Sequence, residues 1–557
     1  MFGNKENVNI LTTLLIAHGI KRAVVCPGSR NAPIVHNFNE CGAIECCPVT
    51  DERCAGFYAL GMSLACDAPV AVCVTSGTAL LNLAPAVAEA SYRHHGLIVI
   101  SADRPTAWIG QLDGQTLNQQ GAFGCFVSKS VNLPEPHNNE ERWQCNRLVN
   151  EALLAVKACG RMSVHINVPI SEPLFEFDVK HLPQERVIKA IYPALDIKTF
   201  ENIVVRNLFA AKKPMIVVGQ LNHQSTEIEK SLETISRRIA IVSEPLSVGT
   251  QRLTDLAIAC ISESEPSNYT PDFIIYIGDT LVSKRLKSFL RKTQDAEIWA
   301  ITEDGEVHDT FMCQTGIVES RPYEAILTIL SYVNNEKKSN QKNEFARLWL
   351  ELIDSTRQKV SVFTPSYSQM AAVKAFEHSL AKIDGKWQVH YANSNAVRMA
   401  CIYADHYVWC DRGVNGIEGS LSVAAGFSIA TDDLVFCIIG DLSFFYGQNA
   451  LWNTKLKGNL RIMLLNNHCG GIFYSLKGLK ESDAFDQLVT ARHTTDARGT
   501  CIQNGIKYIT AHNLEELNEG LVTLTTTKAD CPILLEAFTE PEEDKRVIKE
   551  FIDKIKQ

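Results

Sequence analysis

Residues 434–467, LVFCIIGDLSFFYGQNALWNTKLKGNLRIMLLNN, decide the fold of this chain. Two continuous apolar runs, LVFCIIG at 434–440 and LRIMLLN at 460–466, each end at a polar residue, and a segment of helical character separates them. Apolar runs of this length without alternation are typical of strands that are buried on both faces. A strand–helix–strand unit of this kind predicts a parallel, doubly wound α/β sheet.

Similar units precede it along most of the chain. A helix from residue 8 is followed by Gly19 as its C-cap and by a strand at 22–26. Further buried-strand patterns end in polar or glycine-containing turns: VAVCVTSGTA (70–79), LIVISADRP (97–105), SVHINVPI (163–170), PMIVVGQ (214–220), IAIVSEP (239–245), DFIIYIGD (272–279), EIWAITEDG (297–305) and YVWCDRG (407–413).

Two polar segments divide these units into three α/β domains. Residues 172–193 are charged and spaced by prolines, and VNNEKKSNQKNE at 333–344 is the most polar, turn-rich run of the chain. We therefore expect domains at 1–180, 195–335 and 355–557.

Composition excludes several classes of function. The chain has 557 residues, 46% of them hydrophobic, and a net charge of -9 without a long basic block, so nucleic acid is not an expected partner. The N-terminal residues show neither a signal peptide nor a membrane span, and we expect a cytoplasmic protein. The 18 cysteines are scattered without C-x-x-C spacing, which predicts buried, reduced thiols rather than a metal or redox site.

Polar side chains follow the two strands of the opening stretch. Asp441 comes directly after the first strand and Asn467 after the second. Because the carboxyl ends of neighbouring parallel strands meet at one sheet edge, we expect these side chains to lie together and to clamp a diphosphate through Mg²⁺ or Mn²⁺. Taken alone, Asp441 could be a helix N-cap and Asn467 a turn residue.

The order Gly440-Asp441, a gap, then Asn466-Asn467 resembles the signature of thiamin-diphosphate enzymes, with Leu442 where glycine is usual. The resemblance implies that thiamin diphosphate is the cofactor and that Gly440, Asp441 and Asn467 bind it. It also implies three metal ligands: the side chains of Asp441 and Asn467 and the main-chain oxygen of Cys469, where relatives commonly have glycine.

The same resemblance gives a role to Glu52, which lies in the first turn of a predicted helix in TDERCAGFYALG. In such enzymes a carboxyl group bonds the pyrimidine N1′ and activates the cofactor, whereas the simpler explanation is a carboxylate that complements a helix dipole. Ile417 is similar to the bulky residue that keeps the two cofactor rings folded, but it could equally belong to the core.

In the family the glutamate and the metal site usually come from different subunits, which implies a homodimer or homotetramer with active sites at the subunit interface. The first domain would then bind the pyrimidine and the third the diphosphate.

Phrases across nearly the whole chain resemble one family of these enzymes, the 2-succinyl-5-enolpyruvyl-6-hydroxy-3-cyclohexene-1-carboxylate (SEPHCHC) synthases of menaquinone biosynthesis. The phrases are CPGSRNAPI (26–34), TDERCAGFYALG (50–61), TSGTALLNLAPAVAEA (75–90), SADRP (101–105) and CDRGVNGIEGSLS (410–422). The resemblance implies decarboxylation of 2-oxoglutarate and 1,4-addition of the succinyl carbanion to isochorismate.

Substrates that carry several carboxylates need several cations. The residues that the resemblance places at the substrates are Arg30, Arg104, Gln115, Lys284, Ser394, Arg398, Arg412, Ile472 and Phe473. Arginine pairs with carboxylates in a planar, bidentate way, although any single cation here could instead be a solvated surface residue.

Two other functions stay open at this point. One is a thiamin-dependent decarboxylase or carboligase for a monocarboxylate such as pyruvate, for which five cations would be excessive. The other is a non-catalytic, cofactor-binding regulatory subunit, to which the departures at Leu442 and Cys469 point.

Overall fold

The computed structural model describes residues 1–158, 160, 162–222, 224–247, 253–261, 266–293, 295–335 and 343–557. These residues form three separate sheets in which all strand pairs are parallel, and helices alternate with the strands. The predicted parallel, doubly wound α/β fold is confirmed. The domain boundaries at 1–180, 195–335 and 355–557 stay predictions.

The first sheet has six strands in the order β2-β1-β3-β4-β6-β5. They are β1 (Arg22–Val25), β2 (Glu45–Pro48), β3 (Ala71–Val74), β4 (Ile98–Asp103), β5 (Lys129–Asn132) and β6 (Val164–Pro169). The helices of this part are α1 (Glu6–Ala17), α2 (Ala32–Glu40), α3 (Glu52–Cys66), α4 (Thr78–Asn82), α5 (Ala84–Tyr92) and α6 (Asn139–Ala155).

The central sheet has five strands in the order β11-β10-β9-β7-β8. They are β7 (Pro214–Val218), β8 (Ala240–Ser243), β9 (Phe273–Ile277), β10 (Glu297–Thr302) and β11 (Gly316–Glu319). Its helices are α7 (Ile197–Phe200), which continues through a π-helical turn (Glu201–Val205) into α8 (Arg206–Ala210), then α9 (Thr226–Ser236), α10 (Thr254–Ala259), α11 (Lys284–Leu290) and α12 (Pro322–Asn335).

The third sheet has five strands in the order β12-β13-β14-β16-β15. They are β12 (Trp387–Tyr391), β13 (Leu434–Gly440), β14 (Leu460–Asn466), β15 (Lys507–Ala511) and β16 (Ile533–Phe538). The helices are α13 (Glu344–Val362), α14 (Gln369–Leu380), α15 (Asn395–Tyr403), α16 (Ser420–Ala430), α17 (Asp441–Tyr446), α18 (Arg498–Gln503), α19 (Leu514–Thr526) and α20 (Pro541–Lys556).

Short 3₁₀ and π turns complete the secondary structure. The 3₁₀ turns are Thr106–Trp108, Gly124–Phe126, Pro266–Tyr269, Gln448–Leu451, Gly471–Ser475 and Leu479–Glu481, and a second π turn is Phe485–Val489. Among the described residues, no helix is long and apolar enough to cross a membrane. The cysteines in this part of the chain are all free, but Cys125 is exposed rather than buried.

Two expectations about local structure are wrong. YVWCDRG does not form a strand, because its only ladder contact in the described chain is one bridge between His390 and Trp409. The polar run 333–344 is also not a linker throughout, since its first three residues end α12 and Asn343 caps α13 by accepting from the N–H groups of Phe345 and Ala346. Residues 336–342 of that run lie outside the described part.

The segment 407–414 joins all three parts of the chain instead of extending a sheet. Toward the central sheet, Tyr407 donates to the carbonyl oxygen of Leu221 at 2.5 Å, and the Cys410 carbonyl accepts from Gln220 at 2.7 Å. Toward the first part, the buried carboxylate of Glu89 accepts from the N–H groups of Gly413 (2.8 Å) and Val414 (2.7 Å). The segment is therefore held by hydrogen bonds to the other parts of the chain rather than by a ladder with neighbouring strands.

Helices α3 and α16 join the first and third parts by direct backbone contact. A Cβ at Gly61 would lie 2.0 Å from the carbonyl oxygen of Val423, and a Cβ at Gly426 would lie 2.2 Å from that of Tyr58. Only glycine allows so close an approach. The crossing fixes the N-terminus of α3 relative to the end of α17, where Arg53 donates to the Tyr446 carbonyl at 2.9 Å.

A cluster of ionised groups joins the first part to the central one. His94 Nδ1 lies 2.9 Å from Asp279 Oδ1, and His94 Nε2 lies 3.0 Å from Asp304 Oδ2, which also pairs with His308. Burial lowers the pKa of His94, but its bonds to the two carboxylates outweigh burial and raise the pKa to about 10. Both ring nitrogens therefore donate, and His94 is an imidazolium between two carboxylates.

We expect His94→Gln to lower the free energy of unfolding by about 2–4 kcal/mol near pH 6, because the substitution leaves two partly buried carboxylates without this cation. A raised pKa contributes stability that is complete below the unfolded value of about 6.5. That contribution is lost as the pH rises through about 10, so the difference between variant and parent should shrink over this range. Urea unfolding from pH 6 to 9.5 measures it, with His137→Gln as an exposed control. A difference that does not change with pH would contradict the charged cluster.

Candidate functional site

Asp441 lies where β13 passes into α17, and its carboxylate is buried. One oxygen, Oδ1, accepts from the N–H of Leu442 at 2.7 Å, while Oδ2 accepts from the N–H groups of Asn467 (3.2 Å) and Cys469 (3.1 Å). Strand pairing sets Gly440 beside Leu465, so the two strand ends are adjacent. Asp441 and Asn467 thus lie together at one sheet edge, with Asp441 as the first helical residue rather than the cap.

The side chain of Asn467 is also buried, and its orientation is fixed. Its Nδ2 donates to Asp544 Oδ2 at 3.0 Å, and Oδ1, on the other side, accepts a weak bond from Cys469 Sγ at 3.7 Å and keeps a second lone pair. The main-chain oxygen of Cys469 accepts from the N–H of Gly471 at 2.9 Å and keeps a second lone pair. The loop therefore offers an amide oxygen and a carbonyl oxygen beside the Asp441 carboxylate.

These three donors are all oxygens, which suits a hard cation such as Mg²⁺ or Mn²⁺. Within the described residues there is no group of three or more His, Cys, Asp or Glu side chains that could hold a metal by itself. A cation bound at this edge would therefore need further oxygens from a phosphate group and water. The residues present fit the predicted diphosphate clamp.

Two residues beside the clamp were missed by the sequence reasoning. His493 Nε2 lies 3.4 Å from Asp441 Oδ2, while its Nδ1 accepts from the N–H of Thr495 at 3.1 Å. Asp544 bonds Asn467, and burial raises the pKa of this carboxyl to about 6. Neither stands near a recognisable motif, so no signal in the sequence could have found them.

Glu52 is the first residue of α3 and follows β2, so it lies at the carboxyl edge of the first sheet. The helix is capped by Asp51, whose side chain accepts from the N–H of Cys54 at 3.2 Å. Glu52 Oε2 accepts from Asn82 Nδ2 at 3.2 Å, and Oε1 has no recorded partner in the described chain. One carboxylate oxygen is therefore free to meet another group.

Ile417 is 43% exposed, which makes the core explanation for this residue wrong. Its carbonyl oxygen accepts a short hydrogen bond from Ser443 Oγ, so it is tied to α17 beside Asp441. Val414, in the same loop, is also apolar and 50% exposed. In the single chain, an apolar surface thus lies open beside the clamp.

Three of the predicted substrate residues lie at the same edge of the first sheet. Arg30 follows β1, is buried, and donates to the Ile170 carbonyl and to Glu172 at 2.9 Å each. Arg104 follows β4 and pairs with Asp113 at 2.8 Å. The backbone of Gln115 approaches Gly77, which follows β3. They and Glu52 follow parallel strands at the same edge of this sheet, and each arginine already has a protein partner.

A second group of cations lies between the third sheet and the central one. Arg412 is buried, donates to Asn393 Oδ1 at 3.1 Å, and leaves its Nε without a partner in the described chain. Arg398 is half-buried with no recorded ion pair among the described residues. Two arginines near α11 thus keep unused donors.

Lys284 is exposed at the start of α11, so the structure does not place it in a pocket. Lys287, one turn later, was missed: burial lowers its pKa, and the charges of Arg412, Arg291 and Arg398 lower it further. Lys287 also lines a cavity of about 910 Å³ that none of the predicted site residues lines in the part described. Of the two lysines, Lys287 is the one within electrostatic reach of the arginines.

Ser394, Ile472 and Phe473 lie around the clamp loop. Ser394 precedes α15 with a positive φ of 73°, and the next residue, Asn395, borders Gly471. Ile472 and Phe473 belong to the 3₁₀ turn that begins at Gly471, and Phe473 packs on a small apolar cluster with Cys469. An apolar cluster that includes Phe473 therefore borders the clamp loop, and the roles of Ser394, Ile472 and Phe473 stay predictions.

Residues 6–123 match a family model described as thiamine pyrophosphate enzyme, N-terminal TPP binding domain. The chain is 42% identical over 569 residues to the 2-succinyl-5-enolpyruvyl-6-hydroxy-3-cyclohexene-1-carboxylate synthase of Bacteroides thetaiotaomicron, with all of both chains covered. The chain belongs to the SEPHCHC synthase family. Family members that bear the same name include those of Phocaeicola vulgatus (40% identity, 100% and 99% covered) and Porphyromonas gingivalis (33%, 99% and 97%).

Membership confirms the predicted family, the class of enzyme, a transferase, and thiamin diphosphate as the cofactor. The individual site residues, the metal and the oligomeric state stay predictions.

We expect Asp441→Asn to weaken thiamin diphosphate binding by about 100-fold in the presence of Mg²⁺, because the neutral side chain loses the charge that holds the metal. The variant keeps the shape and one acceptor for the loop N–H groups, so it should fold. Calorimetric titration measures the affinity, and Asp432→Asn, at the other end of the same strand, is the matched control. Equal affinities in the two variants would contradict the clamp.

Proposed function

We propose that this chain decarboxylates 2-oxoglutarate and adds the remaining succinyl unit to isochorismate in a 1,4 sense, giving SEPHCHC for menaquinone biosynthesis. The observation that carries the proposal is full-length similarity to SEPHCHC synthases in a chain whose three clamp oxygens lie at one sheet edge. The cations near that edge support the same reaction.

Both substrates carry two carboxylates, and their recognition requires several positive groups. Arg398 and the Nε of Arg412 have donors without recorded protein partners in the described chain, which makes them suited to carboxylates. Arg30 and Arg104 would use the donors that their present bonds leave free. We assign Gln115 and Ser394 to polar contacts and Ile472 and Phe473 to the apolar wall.

Lys284 is assigned to the substrates only by resemblance, because it is exposed in the single chain. The buried carboxylate of Glu244 accepts from the N–H groups of Val282 and Ser283 at 2.6 Å each, which fixes the turn just before it. These two hydrogen bonds fix the backbone just before α11, where Lys284 is the first residue.

The chain's own residues hold the reacting groups in place. When bound, thiamin diphosphate supplies a thiazolium carbon that is nucleophilic once deprotonated and that accepts the electrons left by loss of CO₂. Asp441, Asn467 and the Cys469 carbonyl would hold its diphosphate through Mg²⁺ or Mn²⁺, and Gly440 would border it without a side chain. Ile417 would support the folded arrangement of the two rings.

Glu52 would hold a proton at Oε1 against the pyrimidine N1′. Its other oxygen is already engaged by Asn82, so the carboxyl group is oriented before any cofactor binds. In that position Glu52 would hold and exchange a proton at N1′, which the bound cofactor would need for its activation. Glu52 is thus the activating acid–base group of the proposal.

A homodimer or homotetramer with active sites at the subunit interface completes the proposal. In one chain, no recorded hydrogen bond or ion pair of the described residues links Glu52 to the clamp. Leu81, beside the Asn82 that bonds Glu52, is 45% exposed, and Ile417 and Val414 are exposed beside the clamp. A second copy would cover both surfaces. The cytoplasmic location also remains a prediction.

An assay with both substrates tests the function. Incubated with thiamin diphosphate, Mg²⁺, 2-oxoglutarate and isochorismate, the protein should consume both substrates and form the succinyl adduct, detected by mass. Pyruvate should turn over at least about 100-fold more slowly, since it lacks the second carboxylate that the cations meet. Preference for pyruvate would favour the monocarboxylate enzyme, and the absence of any CO₂ release would favour the non-catalytic subunit.

Glu52→Gln should keep cofactor affinity within a few-fold but lower kcat by about 10²–10⁴-fold, because an amide cannot share the proton in the same way. Mixing it with Asp441→Asn tests the interface. Random exchange of subunits makes half of the dimers mixed, each with one intact site, so about one quarter of parental activity should return. No recovery after verified exchange would place both residues in one chain's site.

A further inference from the structure

We propose that Asp544 is the positioning residue of the metal site: it dictates which end of the Asn467 amide faces the cation. The inference rests on the proposed clamp and adds a residue that lies outside its motif. Asp544 belongs to the first turns of α20, and Asn467 follows β14, 77 residues earlier in the chain. Asp544 acts through Asn467 and is not itself a ligand in this proposal.

The surroundings of Asp544 leave its carboxylate a single arrangement. Oδ1 accepts from the backbone N–H of Gln369 at 2.8 Å, and Oδ2 accepts from Thr539 Oγ1 at 2.9 Å as well as from Asn467 Nδ2 at 3.0 Å. The side chain is buried, so water does not compete for these bonds. Every recorded polar neighbour of the carboxylate is a donor.

A carboxylate that only accepts hydrogen bonds decides the amide's orientation. The two ends of an amide differ chemically, because the nitrogen donates whereas the oxygen accepts. With Nδ2 turned toward Asp544, the oxygen Oδ1 is the end left for a metal. Outer groups of this kind commonly change metal affinity by about 10–100-fold when they are replaced.

Gly471 encloses the same amide from another direction. A Cβ at this position would lie 2.5 Å from Asn467 Nδ2, closer than van der Waals contact allows. Since its φ is not positive, an alanine fits the backbone and would act only on the amide. Asp544 and Gly471 therefore both constrain the position of Asn467 Nδ2. They belong to separate elements, so each can be substituted without changing the other.

Asp544→Asn tests the proposal with a predictable sign. The fixed N–H of Gln369 keeps the new amide oxygen at the Oδ1 position, so the new NH₂ group points at Asn467. Asn467 must then turn its oxygen inward and present NH₂, which cannot ligate a cation. We expect the Kd of Mg²⁺, measured calorimetrically with saturating thiamin diphosphate, to rise about 10–100-fold. At a saturating concentration of Mg²⁺, kcat should stay within about threefold of the parent value, because the bound metal then has the same ligands.

Glu543→Gln is the matched control, since it removes one charge from the preceding residue, which bonds Ser366 and Arg546 instead of Asn467. Its Mg²⁺ affinity should equal that of the parent. If Asp544→Asn also binds Mg²⁺ like the parent while Asp441→Asn does not, the positioning role is overturned and the clamp stands. If Asp441→Asn too is unaffected, the clamp itself fails.

If Asp544→Asn cannot be isolated in a folded form, a second variant still tests the proposal. Gly471→Ala leaves Asp544 intact and should also raise the Kd of Mg²⁺ at least about tenfold, because the new methyl group displaces the amide. Unchanged Mg²⁺ affinity in Gly471→Ala would overturn the proposal that the orientation of this amide sets metal binding.

Discussion

The buried carboxylate of Glu89 fixes the loop through which the three parts of the molecule meet. It accepts the N–H groups of Gly413 and Val414, and one turn later Arg93 pairs with the buried Asp411 at 3.2 Å. A buried charge without partners would cost several kcal/mol, so this loop has little freedom to move away from α5. Arg412 lies in the middle of the loop, and its position follows from bonds made by its neighbours.

The sequence predicts the positions of most residues whose placement depends on where a strand ends. Asp441 and Asn467 each follow a long apolar run, and parallel pairing of neighbouring strands is enough to bring them together. Glu52 could also be placed at the start of a helix, because its position directly after the N-cap residue Asp51 depends on the local sequence alone. Resemblance to a family added roles for these residues that geometry alone does not give.

What the sequence cannot predict depends on contacts between distant parts of the chain. YVWCDRG has the composition of a buried strand, yet it runs as a loop that is hydrogen-bonded to the central part, while Trp409 packs on His390 and Phe427 of the third part. Composition does not reveal what covers a residue. Likewise, Lys284 fits the family pattern, whereas the half-buried Lys287, one turn later, is the lysine within reach of the charges of Arg412 and Arg398, and its burial cannot be predicted from the sequence. Asp544 stands in a charged helical segment where nothing distinguishes it from Glu542 or Glu543 before its burial is known.

The bond between Asn467 and Asp544 also has a consequence for the order of assembly. During synthesis, β13 and β14 emerge together and can pair early, but Asp544 follows Asn467 by 77 residues. A growing chain that has released both strands but not α20 has the Asp441 carboxylate in place while the Asn467 amide can still rotate. Tight cofactor capture would therefore come late, after the last strand of the sheet has been inserted and α20 has docked against the loop. Until then the cofactor site of the incomplete chain would remain unoccupied even at a high concentration of cofactor.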